Sequence, residues 1–84
     1  MPPAKQVRQA GHFIRLYDKL DGGVRIKLDK LLEKAVLNPH VGKPMRFACT
    51  GTRELYLPPF RLSYAYDEKE GILTFLDLYH KDRQ

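Results

Sequence analysis

Apolar residues recur every three or four positions through the first half of the chain, and this spacing predicts two helices. The first is predicted over about residues 3–20 and the second over residues 24–37. The short turn Asp21-Gly22-Gly23 between them makes the pair an antiparallel helical hairpin. Asn38-Pro39 ends the second helix, because the residue before a proline is pushed out of helical geometry.

The second half of the chain alternates apolar and polar residues and predicts three short strands. These are strand A (about residues 53–57), strand B (60–66) and strand C (72–79), after a connector over residues 40–52 that is extended in part. Pro58-Pro59 excludes the usual primed hairpin turns, which need positive φ, so a wider turn or a cis proline is expected. Gly71 is expected to take a left-handed conformation in the loop before strand C.

Side chains alternate between the two faces of a strand, so the faces are predicted from the sequence. In strand B the large apolar residues share one face, which should pack on the helices, and Arg61 points to the other face with Ser63 and Ala65. In strand A, Glu54 and Tyr56 share a face that excludes Arg53. We therefore predict an α+β fold in which an N-terminal antiparallel helical hairpin packs on one face of a small antiparallel sheet. The other face is polar and basic.

Length, net charge and cysteine content limit the kinds of protein and partner that fit this sequence. The chain has 84 residues, expected to form one domain over residues 1–84, and a net charge of +5 that favours nucleic acid or an acidic protein as partner. Its single cysteine, Cys49, excludes an internal disulfide and a cysteine zinc cluster, and is expected to be buried. His12 and His40 lack a second ligand at metal spacing, so neither a metal nor a cofactor is expected. With no signal peptide and no apolar run long enough to span a membrane, a cytoplasmic location is expected.

The candidate chemistry lies in strands A to C and the residues that follow. Arg61 is an arginine in an apolar strand, and its planar fork matches phosphate oxygens, although a structural bridge to Glu54 across the strands is the alternative. His80 can transfer protons near neutral pH, and Lys81 can hold a phosphate. Glu54 is a candidate general base. A solvated polar tail is the alternative for His80 and Lys81.

Further residues are candidates for binding RNA. Tyrosines can stack on bases: Tyr56 is the best placed, Tyr79 is a second candidate, and Tyr64 is expected in the core. Basic side chains are candidates for phosphate contacts at the rim, with ordinary surface charge as the alternative. These are Lys43, Arg46, Arg53 and Arg83.

Several motifs in order resemble the RelE/ParE superfamily of toxins, and most closely its RelE branch. They are the Asn-Pro helix stop, Gly-Lys-Pro, Glu-Leu-Tyr-Leu, Phe-Arg-Leu-Ser-Tyr and His-Lys-Asp, and the resemblance covers roughly residues 13–84. It implies a fold with a strand, a helical hairpin and a small sheet, although residues 5–9 are too polar to predict that first strand, which is expected to be weak or absent. For the RelE branch it also implies cleavage of mRNA on the ribosome, with Arg61 and Lys81 at the phosphate.

The resemblance implies a RelB-like antitoxin as partner, in a heteromeric complex, together with the ribosome and mRNA. RelE-type enzymes often carry two basic residues on strand A, where this chain has Glu54 and Tyr56. They often also carry a tyrosine after the His-Lys-Asp motif, and residues 83–84 of this sequence include none. These departures favour an alternative: a binding module that is not a nuclease, such as a ParE-like gyrase inhibitor or a toxin fold that only binds its antitoxin. A stand-alone RNA-binding domain is a third alternative, which no RNP or KH motif supports.

Overall fold

A computed structural model describes residues 2–45 and 51–80 of the protein. Two helices follow a short first strand, and four further strands follow the helices. In chain order the elements are β1 (Gln6–Gln9), α1 (Gly11–Asp18), α2 (Gly22–Leu37), β2 (Lys43–Pro44), β3 (Thr52–Leu57), β4 (Phe60–Asp67) and β5 (Ile72–His80). Strands A, B and C of the sequence prediction are β3, β4 and β5, which confirms their existence and order.

The described strands form one sheet in the order β1-β5-β4-β3-β2. Neighbours from β2 to β5 are antiparallel, whereas β1 runs parallel to β5. The α+β class with a helical hairpin on one face is thus confirmed, but the sheet is mixed rather than wholly antiparallel. A parallel neighbour is possible because the helical hairpin carries the chain from β1 back across the sheet.

The helical hairpin supplies one side of the core. Phe13 of α1 and Leu28 and Ala35 of α2 are fully buried against apolar residues of β4 and β5, which are Leu62, Tyr64, Leu73, Phe75 and Leu78. The Asp21 carboxylate accepts a hydrogen bond from the Val24 amide at 2.9 Å and caps the start of α2. Within the described ranges, neither helix is long and apolar enough to cross a membrane.

The first strand is present, contrary to the expectation that residues 3–20 form one helix and that this strand is weak or absent. All four residues of β1 are exposed, and Val7, which fits the helical spacing in the sequence, is 41% exposed. Backbone hydrogen bonds hold the strand instead: the Lys5 and Gln6 amides donate to the Gly71 carbonyl at 2.8 and 3.2 Å. Because β1 is placed by its backbone, hydrophobic periodicity does not reveal it. Helix α1 therefore begins only at Gly11.

A β-bulge interrupts β5. Tyr64 of β4 pairs with Phe75, but its neighbour Ser63 pairs with Asp77, which leaves Leu76 as an extra residue in β5. An extra residue reverses the alternation of side chains beyond it. Leu73 and Phe75 face the helices before the bulge, and Leu78 does so after it.

The turns follow the prediction. The Pro58-Pro59 peptide bond is cis, and Gly71 has φ of 71°.

The connector contributes the short strand β2. The Tyr64 hydroxyl holds the segment before β2 against the core, because it donates to the Pro39 carbonyl at 2.8 Å and accepts from the Gly42 amide at 2.9 Å. A Cβ at position 42 would lie 2.6 Å from that hydroxyl oxygen, so this approach requires glycine.

Candidate functional site

The sheet face opposite the helices carries a group of polar side chains that we call the open-face cluster: Lys43, Glu54, Tyr56, Arg61 and Tyr79. Strand register places them side by side, since Lys43 pairs with Glu54, Tyr56 with Arg61, and Arg61 with Tyr79. Four strands, β2 to β5, therefore contribute to one surface. Glu54 and Tyr56 share a face of β3, as alternation predicts, and the register places Arg61 of β4 beside them.

Glu54 lies at the centre of the cluster. Its Oε1 is 3.3 Å from Nη1 of Arg61, and its Oε2 accepts a hydrogen bond from the Tyr79 hydroxyl at 2.8 Å. The Glu54 side chain is 22% exposed and that of Arg61 is 35% exposed, so both are reached by solvent. The carboxylate is thus held in one orientation by partners on two other strands.

The surroundings of Tyr79 alter its ionisation. Burial first, and then its hydrogen bond to the Glu54 carboxylate, raise the pKa of Tyr79 to about 12. The phenol therefore keeps its proton at neutral pH and acts as a hydrogen-bond donor. It serves to orient Glu54 rather than to remove a proton.

A pocket of about 240 Å³ opens beside the cluster. It is lined by Lys43, Glu54, Leu55, Tyr56 and Arg61. It combines two cations, a carboxylate and the aromatic ring of Tyr56, a residue that is 50% exposed. A phosphate beside Arg61 and Lys43, with a base stacked on Tyr56, matches this lining chemically.

Arg53 lies on the other face of the sheet, as alternation predicts. Its guanidinium donates to the carbonyls of His40 at 3.2 Å and Gly42 at 2.8 Å, and approaches Nδ1 of His40 at 3.2 Å. These contacts hold the chain segment that leads into β2. Arg53 and Arg61 therefore lie on opposite faces of the sheet. Arg53 is not part of the open-face cluster, and its role in RNA binding stays a prediction.

His80 also faces away from the cluster. It pairs with Phe60, and the two rings meet edge to face with their centroids 5.8 Å apart, while Phe60 packs on the core. The bulge at Leu76 is the reason, because it turns Tyr79 to the open face and His80 to the face of the helices. Of the two groups predicted to move protons, Glu54 lies on the open face with Arg61, whereas His80 pairs with Phe60 on the face of the helices.

Other predicted residues lie outside the described ranges. These are Lys81 and Arg83, proposed at the phosphate and on RNA, Arg46, proposed at the rim, and the expected buried Cys49. Within residues 2–45 and 51–80, no group of three or more metal-ligating side chains converges.

Sequence reasoning missed two features of this face. It suggests Tyr79 only as a residue that stacks on bases, whereas Tyr79 donates to Glu54. At the edge of the sheet, Nε2 of His12 is 3.0 Å from Oδ1 of Asp77, and both side chains are exposed. The two partners are far apart in sequence, and no motif links them. The contact becomes possible because the bulge turns the Asp77 side chain away from the helices.

The fold was compared with solved structures. A chain of the RelBE2 toxin–antitoxin complex from Mycobacterium tuberculosis matches with a TM-score of 0.81 and 25% identity, over 96% of this chain and 94% of that chain. The isolated RelE toxin of E. coli matches with a TM-score of 0.78 and 17% identity, over 93% and 85% of the two chains. An archaeal RelE–RelB complex from Pyrococcus horikoshii matches with a TM-score of 0.74 and 14% identity, over 94% and 97%.

Sequence comparison is less informative than structural comparison. No protein-family model matches the chain, and no curated protein is significantly similar to it in sequence. The structural matches extend over nearly all of this chain and of the matched chains. They confirm the resemblance predicted from the sequence motifs.

Proposed function

We propose that this chain, whose fold is that of the RelE/ParE toxin superfamily, is the toxin of a type II toxin–antitoxin module and cleaves mRNA on the ribosome. The observation that carries the proposal is the contact of Glu54 with both Arg61 and Tyr79 at the mouth of a polar pocket. This arrangement offers a charge for a phosphate and an oriented carboxylate within one solvent-exposed surface. The net charge of +5 favours a polyanionic substrate.

RNA cleavage by this route begins at the ribose 2′-hydroxyl. The Glu54 carboxylate takes the proton of that hydroxyl, the 2′-oxygen attacks the adjacent phosphorus, and a 2′,3′-cyclic phosphate forms as the bond to the 5′-oxygen breaks. Arg61 stabilises the negative charge that develops on the phosphate oxygens. Tyr79 keeps Glu54 in position, and Tyr56 stacks on a base of the substrate. Lys81 remains a proposed second phosphate ligand.

The proposed partner is an acidic, RelB-like antitoxin. Solved structures similar to this chain include toxin–antitoxin complexes from bacteria and archaea. Three apolar side chains are exposed on the helices, Ile14, Ile26 and Leu37. Among the described strands, β2 lies at the end of the sheet order and pairs with β3. Exposed apolar residues and a partly covered sheet edge suit a partner segment that packs along them.

A second candidate function is binding without cleavage, as in a gyrase inhibitor or a toxin fold that only binds its antitoxin. One observation favours it: the ion pair of Arg61 with Glu54 at 3.3 Å is the structural bridge that the sequence offers as the alternative role of Arg61. Cross-strand pairs of this kind stabilise sheets without any catalytic role. The two functions differ in what Arg61 contributes, so the decisive experiment targets that residue.

The test is cleavage of mRNA by the purified toxin on ribosomes that carry a defined codon in the A site. The wild type is compared with Arg61→Ala and Glu54→Gln, and with Arg25→Ala on α2 as a control for the loss of an arginine away from the cluster. We expect each cluster variant to lose about 100-fold or more of the cleavage rate. We expect the α2 control to retain the wild-type rate.

Expression in cells separates the alternatives. Growth arrest with cleaved mRNA 5′ ends, abolished by Arg61→Ala in a folded variant, supports the nuclease. Arrest with intact mRNA and damaged DNA supports a gyrase inhibitor instead. Absence of any effect on growth supports a fold that only binds its antitoxin, and it removes the basis for the catalytic roles of Glu54 and Arg61.

A further inference from the structure

The hydrogen bond between Tyr79 and Glu54 joins two groups of the open-face cluster that are able to exchange protons. The Tyr79 hydroxyl donates to Oε2 of Glu54 at 2.8 Å, while Oε1 of the same carboxylate is 3.3 Å from Nη1 of Arg61. Tyr79 also pairs with Arg61 across β4 and β5, so the phenol, the carboxylate and the guanidinium are mutual neighbours. A phosphate held by Arg61 therefore lies next to both the carboxylate and the phenol.

Cleavage of RNA requires two proton transfers on opposite sides of one phosphorus. The attacking 2′-oxygen loses a proton, and the 5′-oxygen gains one as it leaves. The attacking oxygen starts about 3–3.5 Å from the phosphorus, and the leaving oxygen is bonded to the far side, so a base and an acid that serve this reaction must lie close together. Oε1 of Glu54 and the Tyr79 hydroxyl meet this condition, because the width of the carboxylate and one hydrogen bond of 2.8 Å separate them.

We propose that Tyr79 is the general acid that protonates the 5′-oxygen, and that protonation of Glu54 releases it to do so. The inference rests on the proposed nuclease function, in which Glu54 is the base. An ionised carboxylate only accepts hydrogen bonds, and it holds the phenol proton more strongly than a neutral acceptor does. Once Glu54 has taken the 2′ proton, this attraction weakens and the hydroxyl turns about its C–O bond toward the leaving oxygen. The first proton transfer thereby enables the second.

The surroundings of Tyr79 keep its proton in place until the reaction begins. Burial, and then the hydrogen bond to Glu54, raise the pKa of Tyr79 to about 12, and the positive charge of Arg61 opposes this shift. An alkoxide is a stronger base than a phenolate, so transfer of the proton from the phenol to the departing 5′-oxygen is favourable even with this pKa.

The bulge in β5 decides which side chain meets Glu54. Leu76 is the extra residue of the strand, and the side chains that follow it change face. Strict alternation would bring the imidazole of His80 to the open face and turn Tyr79 toward the helices. Because of the bulge, the phenol of Tyr79 is the group that lies beside the carboxylate and Arg61.

The atoms and protons of the proposed reaction balance. The 2′-hydroxyl proton passes to Glu54 as the 2′-oxygen bonds to phosphorus. The bond from phosphorus to the 5′-oxygen breaks, and that oxygen takes the phenol proton of Tyr79. The products are a 2′,3′-cyclic phosphate and a 5′-hydroxyl. A tyrosinate is a stronger base than a carboxylate, so the proton on Glu54 then passes to Tyr79 and restores both groups.

The experiment compares two mRNAs on ribosomes, one ordinary and one with sulfur in place of the bridging 5′-oxygen at the cleavage site. A thiolate leaves without being protonated, so the second mRNA needs no general acid. We expect Tyr79→Phe to cleave the ordinary mRNA about 100-fold more slowly than the wild type, and the sulfur-containing mRNA at nearly the wild-type rate. Glu54→Gln should be slow on both. Tyr17→Phe, which removes an exposed hydroxyl from α1, should match the wild type on both.

A tyrosine that only positions Glu54 gives a different result. Its removal would slow cleavage of both mRNAs equally, and that outcome overturns the assignment while the nuclease function stands. Wild-type rates for Tyr79→Phe overturn it too, as does a sulfur rescue seen in His80→Ala or Lys81→Ala and not in Tyr79→Phe. Intact ordinary mRNA with the wild-type toxin overturns the nuclease function and this assignment with it.

A second replacement keeps the hydroxyl and its contact with Glu54. A fluorinated tyrosine at position 79 is a stronger acid than tyrosine, so it should speed cleavage of the ordinary mRNA and leave the rate on the sulfur-containing mRNA unchanged. An equal response of the two mRNAs to this replacement overturns the assignment, even if Tyr79→Phe does not fold.

Discussion

Removal of the Tyr64 hydroxyl tests how β2, and the Lys43 that it carries to the pocket, is held in place. The hydroxyl is buried, donates to the Pro39 carbonyl at 2.8 Å and accepts from the Gly42 amide at 2.9 Å. Tyr64→Phe keeps the ring and its packing, so the change removes two hydrogen bonds and adds little empty volume. It leaves the Gly42 amide buried next to an apolar ring edge.

The magnitude follows from those two contacts. A net loss of about 0.5–1.5 kcal/mol for each hydrogen bond, with the further cost of leaving a buried amide without an acceptor, gives a free energy of unfolding lower by about 2–3 kcal/mol. For a domain of this size, each kcal/mol lowers Tm by about 4–8 °C, so Tm should fall by roughly 10–20 °C. Urea unfolding followed by circular dichroism measures the free energy directly.

The control is Tyr17→Phe, which removes a hydroxyl that donates to Asp29 at 2.6 Å on the exposed surface. Solvent replaces that bond, so we expect a loss within about 1 kcal/mol. If Tyr64→Phe costs no more than this control, the hydroxyl does not fasten β2, and the account of how the pocket wall is held is refuted. An unchanged m-value is required for the comparison, since it shows that both variants unfold from similarly compact states.

Two further predictions concern ionisation and capping. Tyr79 should titrate with a pKa of about 12, which tyrosinate absorbance measures. Glu54→Gln should lower this pKa but leave it above the ordinary value of tyrosine, because burial is the larger cause of the shift. Since the folded pKa lies above the unfolded pKa of about 10, the stability that this group contributes is complete below pH 10 and is lost as pH rises through about 12. Asp21→Ala should lower the free energy of unfolding by about 1 kcal/mol in the same urea assay, because Val24 loses its cap; a loss near zero would contradict the capping role.

The sequence predicted the helical hairpin, the strands β3 to β5 and the face of Arg61 because burial governs those features. Leu28 and Ala35 mark the buried stripe of α2, and Leu62 and Tyr64 mark the buried face of β4. Periodicity reports burial, so these elements are visible in it. The first strand is held by its backbone and is exposed throughout, so periodicity carries no signal for it.

The part of the site supplied by β5 was not predictable in the same way. Strict alternation from Leu73 and Phe75 would place His80 on the open face and Tyr79 on the face of the helices. The bulge at Leu76 reverses both positions. A bulge depends on how two strands pair, and the sequence of β5 contains no residue that would predict it. Alternation therefore gives no sign that Tyr79 reaches Glu54 on the open face. It also assigns His80 to the face opposite the one that it occupies.

The parallel pairing of β1 with β5 joins the first described strand to the last one. A sheet with this connectivity closes late in folding, because contacts between residues far apart in sequence carry the largest cost in chain entropy. The strand that closes the sheet is also the one that brings Tyr79 to the open face beside Arg61. A nascent chain that lacks β5 thus has neither a closed sheet nor the tyrosine that orients Glu54. Synthesis itself delays the proposed activity until the fold is complete.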